Sequence, residues 1–381
     1  MRHSLLQKQQ TARKALAFCI VYFVVFAFCY VYFLQRDILA QAQYKLSEGT
    51  THYCPLFSAV LCTLLGVALS VFVSRFLRRL PSRAKAMAWF PSFLLLGLLG
   101  SIHFPELGNP SSLYRWVWVV LSVLAYIAFL PFCNLLRFAP GKREPFSSYA
   151  WPNALLLTLF SMVSMAVSNT DIVLHRTLQS ARYLQEKNYE AALQTARWEA
   201  NPSKQLSSMT ALALSKTEQM GESLFSYPQP YGSEGLLPLC SDTVLFYDVP
   251  SAVGCHLGYK RGNSITATRF LETIASMPSV RPSARQYLLC AYLLDKKLGK
   301  FSTLLLAKDS LSTSMPRHYR EALLLYQELN PSADIHLEDS VLNASFLQFK
   351  TYLKEDVAKD ERELKCRDRF GNTYWSYYYF D

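Results

Sequence analysis

No aspartate, glutamate, lysine or arginine stands at the centre of the long apolar runs that fill the first 170 residues. Transporters coupled to ions or protons carry such groups inside their spans, so the gap counts against that class. Chemistry-bearing motifs are missing too. The nine cysteines form no C-x-x-C pair, which removes a zinc ribbon, a thioredoxin-like site and haem attachment. His256, His318 and His336 have no metal-ligand spacing such as H-E-x-x-H, so no metal is expected. A G-x-S-x-G elbow, a P-loop and a dinucleotide fingerprint are also absent, and no cofactor is expected. Alternating strand patterns are scarce; Thr243–Asp248 is the one candidate.

What is present is apolar length. Five runs, near residues 15–34, 55–77, 86–104, 113–136 and 150–170, approach the about 20 residues a helix needs to cross a bilayer. In lipid the backbone must satisfy its own hydrogen bonds, so these runs read as helices. The third is interrupted by Pro91, Gly97, Gly100 and Pro105. The first run is too long for a signal-peptide core and reads as an uncleaved anchor, although Ala40-Gln41-Ala42 has the form of a cleavage site.

The net charge of +11 has a position as well as a size. Residues 1–170 hold 15 Lys and Arg against 4 Asp and Glu, whereas residues 171–381 hold 24 of each. Of those 15, 12 lie before the first run, in the Arg75–Lys85 stretch, or at Arg137, Lys142 and Arg143. The other side has Arg36, Lys45 and Arg115. This asymmetry predicts a cytoplasmic N-terminus and, after an odd number of crossings, an extracytoplasmic C-terminal half. It also argues against nucleic acid as a partner, which needs the excess on one folded face.

Residues 171–381 read as a soluble all-α domain. Asn188–Ser203 (NYEAALQTARWEANPS) echoes His318–Ser332 (HYREALLLYQELNPS), with a Tyr three residues before an Ala-Leu pair. A third unit, Tyr287–Phe301, has Gly299 and Phe301 placed for a turn between helices. The pattern resembles tetratricopeptide helical hairpins, without the Trp-Leu-Gly signature of their first helix. Between the helical blocks, 227–263 is rich in Pro and Gly and predicts a long loop. Its Tyr227, Tyr231, Tyr247, Asp248, His256, Tyr259, Lys260 and Arg261 form the expected rim of an interaction surface. Cys240 and Cys255 bracket it, either bridged or as free thiols.

The strings Ala211–Phe225 (ALALSKTEQMGESLF), Tyr319–Leu323 (YREAL) and Phe370–Trp375 (FGNTYW), with Tyr377–Tyr379 behind, resemble a family of Bacteroidota membrane proteins of unknown function. The resemblance covers about a tenth of the chain. It implies a Gram-negative inner membrane, a periplasmic C-terminal domain and no assigned activity.

Two function classes follow. The first is a membrane-anchored helical-repeat scaffold with an envelope protein as partner and no catalysis of its own. The alternative is a lipid-linked glycosyltransferase-like enzyme using Asp37 just after the first span, with Glu48, His52 and Glu106 on the same side. Finally, seven of the twelve residues in 370–381 are aromatic; such a tail is expected to pack inward as a cap, the alternative being a place at the membrane–water interface, where Tyr and Trp are favoured.

Overall fold

The computed structural model describes the backbone of residues 2–77, 80–102, 113–133, 146–238, 248–259, 265–278, 280–307, 315–331, 339–354 and 358–381. Among these the chain is all α, with no strand. It divides into two compact units, Met1–His175 and Arg176–Asp381. Candidate strand residues 243–247 lie outside the described residues, as do Tyr247, Lys260, Arg261, Cys240, His103 and Glu106.

The first unit contains α1 (Arg2–Cys29), α2 (Arg36–Ser47), α3 (Pro55–Phe76), α4 (Phe90–Gly100), α5 (Leu113–Phe132) and α6 (Phe146–Val167). Among the described residues, three stretches are long and apolar enough to cross a membrane: Arg13–Leu34, Pro55–Phe76 and Tyr149–Val167. The five crossings expected from the sequence therefore reduce to three on length and composition. The fourth run appears as the apolar helix α5. The third is not one α-helix. A 3-10 stretch, Ser82–Trp89, leads into the 11-residue α4.

That irregular stretch is the centre of the bundle. Ala84, Ala86, Met87, Trp89, Phe90 and Phe93 are buried, and Phe23 of α1 packs on Trp89 and Phe93 at ring separations of 4.9 and 5.1 Å. A 3-10 stretch leaves backbone groups outside the α-helical ladder, and lipid has no water to satisfy them. Side chains do so here. Asn153 Oδ1 accepts the Ala86 amide at 2.7 Å. Its Nδ2 donates to Ser82 O at 2.8 Å and to Tyr149 O at 2.7 Å. Tyr126 Oη donates to Met87 O at 3.1 Å. Gly97 lets α4 and α6 approach: a Cβ there would stand 2.9 Å from Ser164 O.

The second unit stacks short helices. Across Arg176, α7 (Ile172–Gln185) joins the two units; α8 (Tyr189–Arg197), α9 (Lys204–Lys216), α10 (Met220–Ser223) and α11 (Val249–Leu257) follow. Then come α12 (Ala267–Ala275), α13 (Pro282–Leu294), α14 (Leu298–Leu306), α15 (Arg317–Leu329), α16 (Ser340–Leu353), α17 (Lys359–Phe370) and α18 (Tyr374–Phe380). The expected loop at 227–263 is not wholly irregular: a 3-10 turn at Gly232–Gly235 and all of α11 fall inside it. Asp248 supplies the reason for α11, since its carboxylate caps Ser251 N at 2.9 Å ahead of an apolar run.

Three hairpins share one turn. Lys187, Glu218 and Lys296 are left-handed, with φ of 57°, 59° and 57°. After each, the next amide reaches back five residues: Asn188 N to Tyr183 O, Gln219 N to Leu214 O and Lys297 N to Tyr292 O, all at 2.8 Å. The left-handed residue itself bonds three back, to Leu184, Ser215 and Leu293. This is the Schellman arrangement, which satisfies helix-end carbonyls and turns the chain sharply. It joins α7 to α8, α9 to α10 and α13 to α14. A turn does fall within Tyr287–Phe301, but at Asp295–Lys297; Gly299 and Phe301, expected to make it, lie inside α14 instead, with Phe301 buried. Of the two members of the echo, Asn188–Ser203 and His318–Ser332, the first places α8 after the shared turn; 308–314, which precede α15, lie outside the described residues.

Candidate interaction surface

The aromatic tail forms one end of the helical unit. Tyr374, Trp375 and Tyr377 are buried, as the composition of the tail led one to expect. Tyr374 Oη donates to Leu293 O at 3.2 Å and Tyr377 Oη to Leu294 O at 2.9 Å, so the tail helix closes the last carbonyls of α13. Burial pushes both phenols up, Tyr377 to about 12. Trp375 stacks with Phe346 at 4.8 Å and Phe349 at 6.0 Å, which brings α16 under the same cap.

Glu321 organises this end. It is fully buried, and Oε1 accepts Arg317 Nε at 2.7 Å. Oε2 accepts the Tyr374 amide at 2.7 Å and His318 Nδ1 at 3.0 Å. His318 Nε2 receives the Phe225 amide at 3.4 Å, so Nδ1 carries the proton. The main-chain oxygen of Glu321 accepts Trp375 Nε1 at 2.8 Å. An acid and an imidazole this close resemble a catalytic pair, but both are sealed from solvent and saturated with structural partners. They clamp the tail to α15.

The described residues among those expected to line an interaction rim stand in different settings. Tyr231 is exposed, Tyr227 is half-buried beside Arg197, and Tyr259 is half-buried near the end of α11. Asp248 serves as a helix cap. His256 turns inward. Ser215 Oγ donates to Gln286 Oε1 at 3.1 Å and therefore receives the His256 Nε2 proton at 2.8 Å. That direction is opposite to the one needed for an imidazole to activate a serine. Burial, reinforced by Lys216 and Arg281, lowers His256 from about 6.5 to about 4. Cys255 carries an exposed free thiol; its expected partner Cys240 lies outside the described residues.

Asp37 occupies the first turn of α2, where an acidic side chain favours the positive end of the helix dipole. Glu48 ends the same helix in a left-handed conformation. Among the described residues, no three His, Cys, Asp or Glu side chains are grouped to hold a metal ion.

A surface missed in sequence lies on α16. Leu342, Phe346 and Phe349 point into the core, while Val341 and Leu347 on the other side are 79% and 62% exposed. Leu364 of α17 is 70% exposed. The signal was available: the apolar residues of SVLNASFLQFKTYL are not confined to one stripe, which in a soluble helix implies covering on two faces.

No curated protein and no solved structure matches the chain. Residues 6–278 and 259–381 match a family described as a family of unknown function (DUF6057), and the chain belongs to that family.

Proposed function

We propose that the protein is a membrane-anchored helical-hairpin scaffold of the bacterial envelope, binding a protein partner without catalysis of its own. The observation that carries this reading is the apolar outer face of α16, at Val341 and Leu347, in a unit that already has its own buried core. Stacked hairpins present extended surfaces suited to protein or peptide partners.

The membrane unit in this reading makes five crossings. The 3-10 stretch plus α4, at their respective rises, extend about 30 Å, which equals a bilayer core. Its buried, non-α half is what keeps it from the ordinary length criterion. α5 offers Val117, Val120, Leu121, Leu124 and Ile127 to lipid. Three or five crossings are both odd, so the N-terminus stays cytoplasmic and the helical unit periplasmic in either case.

Complementation of a deletion strain tests the role. Leu347→Asp should abolish rescue at normal protein levels, and Asp37→Asn should rescue fully. Loss of rescue by Asp37→Asn, with accumulation of a lipid-linked sugar, would instead favour the transferase.

A further inference from the structure

The membrane unit gathers positive charge at one end without acids to balance it. Stretches 1–36 and 49–105 hold no Asp or Glu, while Arg13, Lys14, Arg75, Arg83 and Lys85 fall within them. These five share one end of the bundle. α1 enters its apolar stretch at Arg13, α3 finishes its own at Phe76, and the 3-10 stretch that carries Arg83 and Lys85 begins shortly after, at Ser82.

Lys85 differs from the others in its setting. Arg13, Lys14 and Arg75 are exposed, whereas Lys85 is half-buried, and its ammonium makes no hydrogen bond or ion pair with any described residue. Its backbone cannot carry it elsewhere. Asn153 of α6 grips the chain on both sides, at Ala86 N (2.7 Å) and Ser82 O (2.8 Å), and the flanking Ala84 and Ala86 are buried. A partly buried charge is costly unless an opposite charge meets it. Since the described residues supply none, the counter-charge comes from outside the chain.

The surroundings indicate which anion. Trp151, near the start of α6, is exposed, and so are Phe72 and Phe76 at the end of α3, whose rings meet at 5.0 Å. Tryptophan near the end of an apolar helix marks the level where acyl chains give way to headgroups. A lysine at that level lays its stem on apolar surface and holds its ammonium among the headgroups, where the available anion is a phosphodiester. We propose that Lys85 is the anchor of a site for one anionic phospholipid, its ammonium pairing with the lipid phosphate. Arg75 and Arg83 raise the positive potential at this end. That potential also selects among lipids, because a zwitterionic headgroup brings its own cation into a basic surface and phosphatidylglycerol does not. The proposal rests on α1, α3 and α6 crossing the bilayer and not on the scaffold role.

The full-length protein in dodecyl maltoside micelles gives the test, with phosphatidylglycerol, phosphatidylcholine or inorganic phosphate added. Lysines are acetylated briefly and their modification is read peptide by peptide in a mass spectrometer. Phosphatidylglycerol should slow acetylation of Lys85 several-fold, while phosphatidylcholine and inorganic phosphate should not. Lys45 of α2, beyond the far end of α1, should react alike in all three. Lipid retained from an equimolar mixture, weighed by native mass spectrometry, should favour phosphatidylglycerol in the wild type and in Lys85→Arg, and lose that preference in Lys85→Gln. No protection of Lys85, equal protection by both lipids, or equal protection by inorganic phosphate overturns the proposal. So does an unchanged lipid preference in Lys85→Gln. The acetylation measurement uses the wild type alone, so it decides even where Lys85→Gln fails to fold.

Discussion

Single side chains carry much of the architecture, and three of them give direct tests. Asn153 is a polar residue near the start of the fifth apolar run, and nothing in the local sequence tells its task. Its partners Ala86 and Ser82 are 67 and 71 residues away, and no local pattern announces a 3-10 stretch that needs an amide to complete it. Asn153→Leu leaves backbone groups unsatisfied in an apolar setting at about 1–3 kcal/mol each. Thermal unfolding in detergent should show a melting temperature several degrees lower. Glu321 is costlier, because removing one member of a buried charged network leaves the others unpaired, at about 3–5 kcal/mol. Glu321→Ala should therefore free the tail, read as new protease cleavage after Phe370. His256 supplies a pH test. Its folded value of about 4 lies below its ordinary value near 6.5, so the unfolded chain binds the extra proton between them. The stability it contributes is present above pH 6.5 and is lost as the pH falls towards 4. His256→Gln should flatten the pH dependence of melting across that window; an unchanged slope would show that the imidazole is not held neutral by the fold.

Helices were more legible than the turns between them. Apolar runs and stripes at helical spacing locate α1, α3, α6, α7 and α13 because burial there is continuous along one element. The three hairpin turns were not readable as a set, since the left-handed position holds Lys187, Glu218 and Lys296 in place of the usual glycine. Without a Cβ the same turn is less strained, and Glu218→Gly should raise the melting temperature slightly, by up to about 1 kcal/mol of stability. A fall would mean that the Glu218 side chain contributes more than its backbone costs. The settings of the expected rim residues were hard to read for a related reason. Polar and aromatic residues in a Pro- and Gly-rich stretch suggest an open loop, yet Asp248 starts a helix and His256 is drawn inward by Ser215 and Gln286, from distant helices. The tail was legible in part: its composition asks that most of its rings leave water, and the contacts of Trp375 with α15 and α16 show that it does so by packing inward. Deleting 370–381 removes Trp375 and the caps on Leu293 and Leu294, and the helical unit should then melt many degrees lower.

For the whole molecule, the topology proposed from the unequal distribution of basic residues and an odd number of crossings, with the two chain ends on opposite sides of the membrane, has a direct test. A reporter active only in the periplasm should be active when fused after Asp381 and silent in the Arg75–Lys85 stretch. Fused within 103–112, it should be active for five crossings and silent for three. The central claim concerns the outer face of α16, and in-cell photo-crosslinking tests it most directly. A benzophenone side chain replaces Leu347, with a second protein carrying it at the exposed, charged Asp360 of α17 as the comparison. Irradiation should give one discrete heavier species from position 347, absent from position 360 and abolished by Val341→Asp. A protein that rescues the deletion strain yet gives no crosslink at 347, or gives the same products at both positions, would contradict the proposed interaction face.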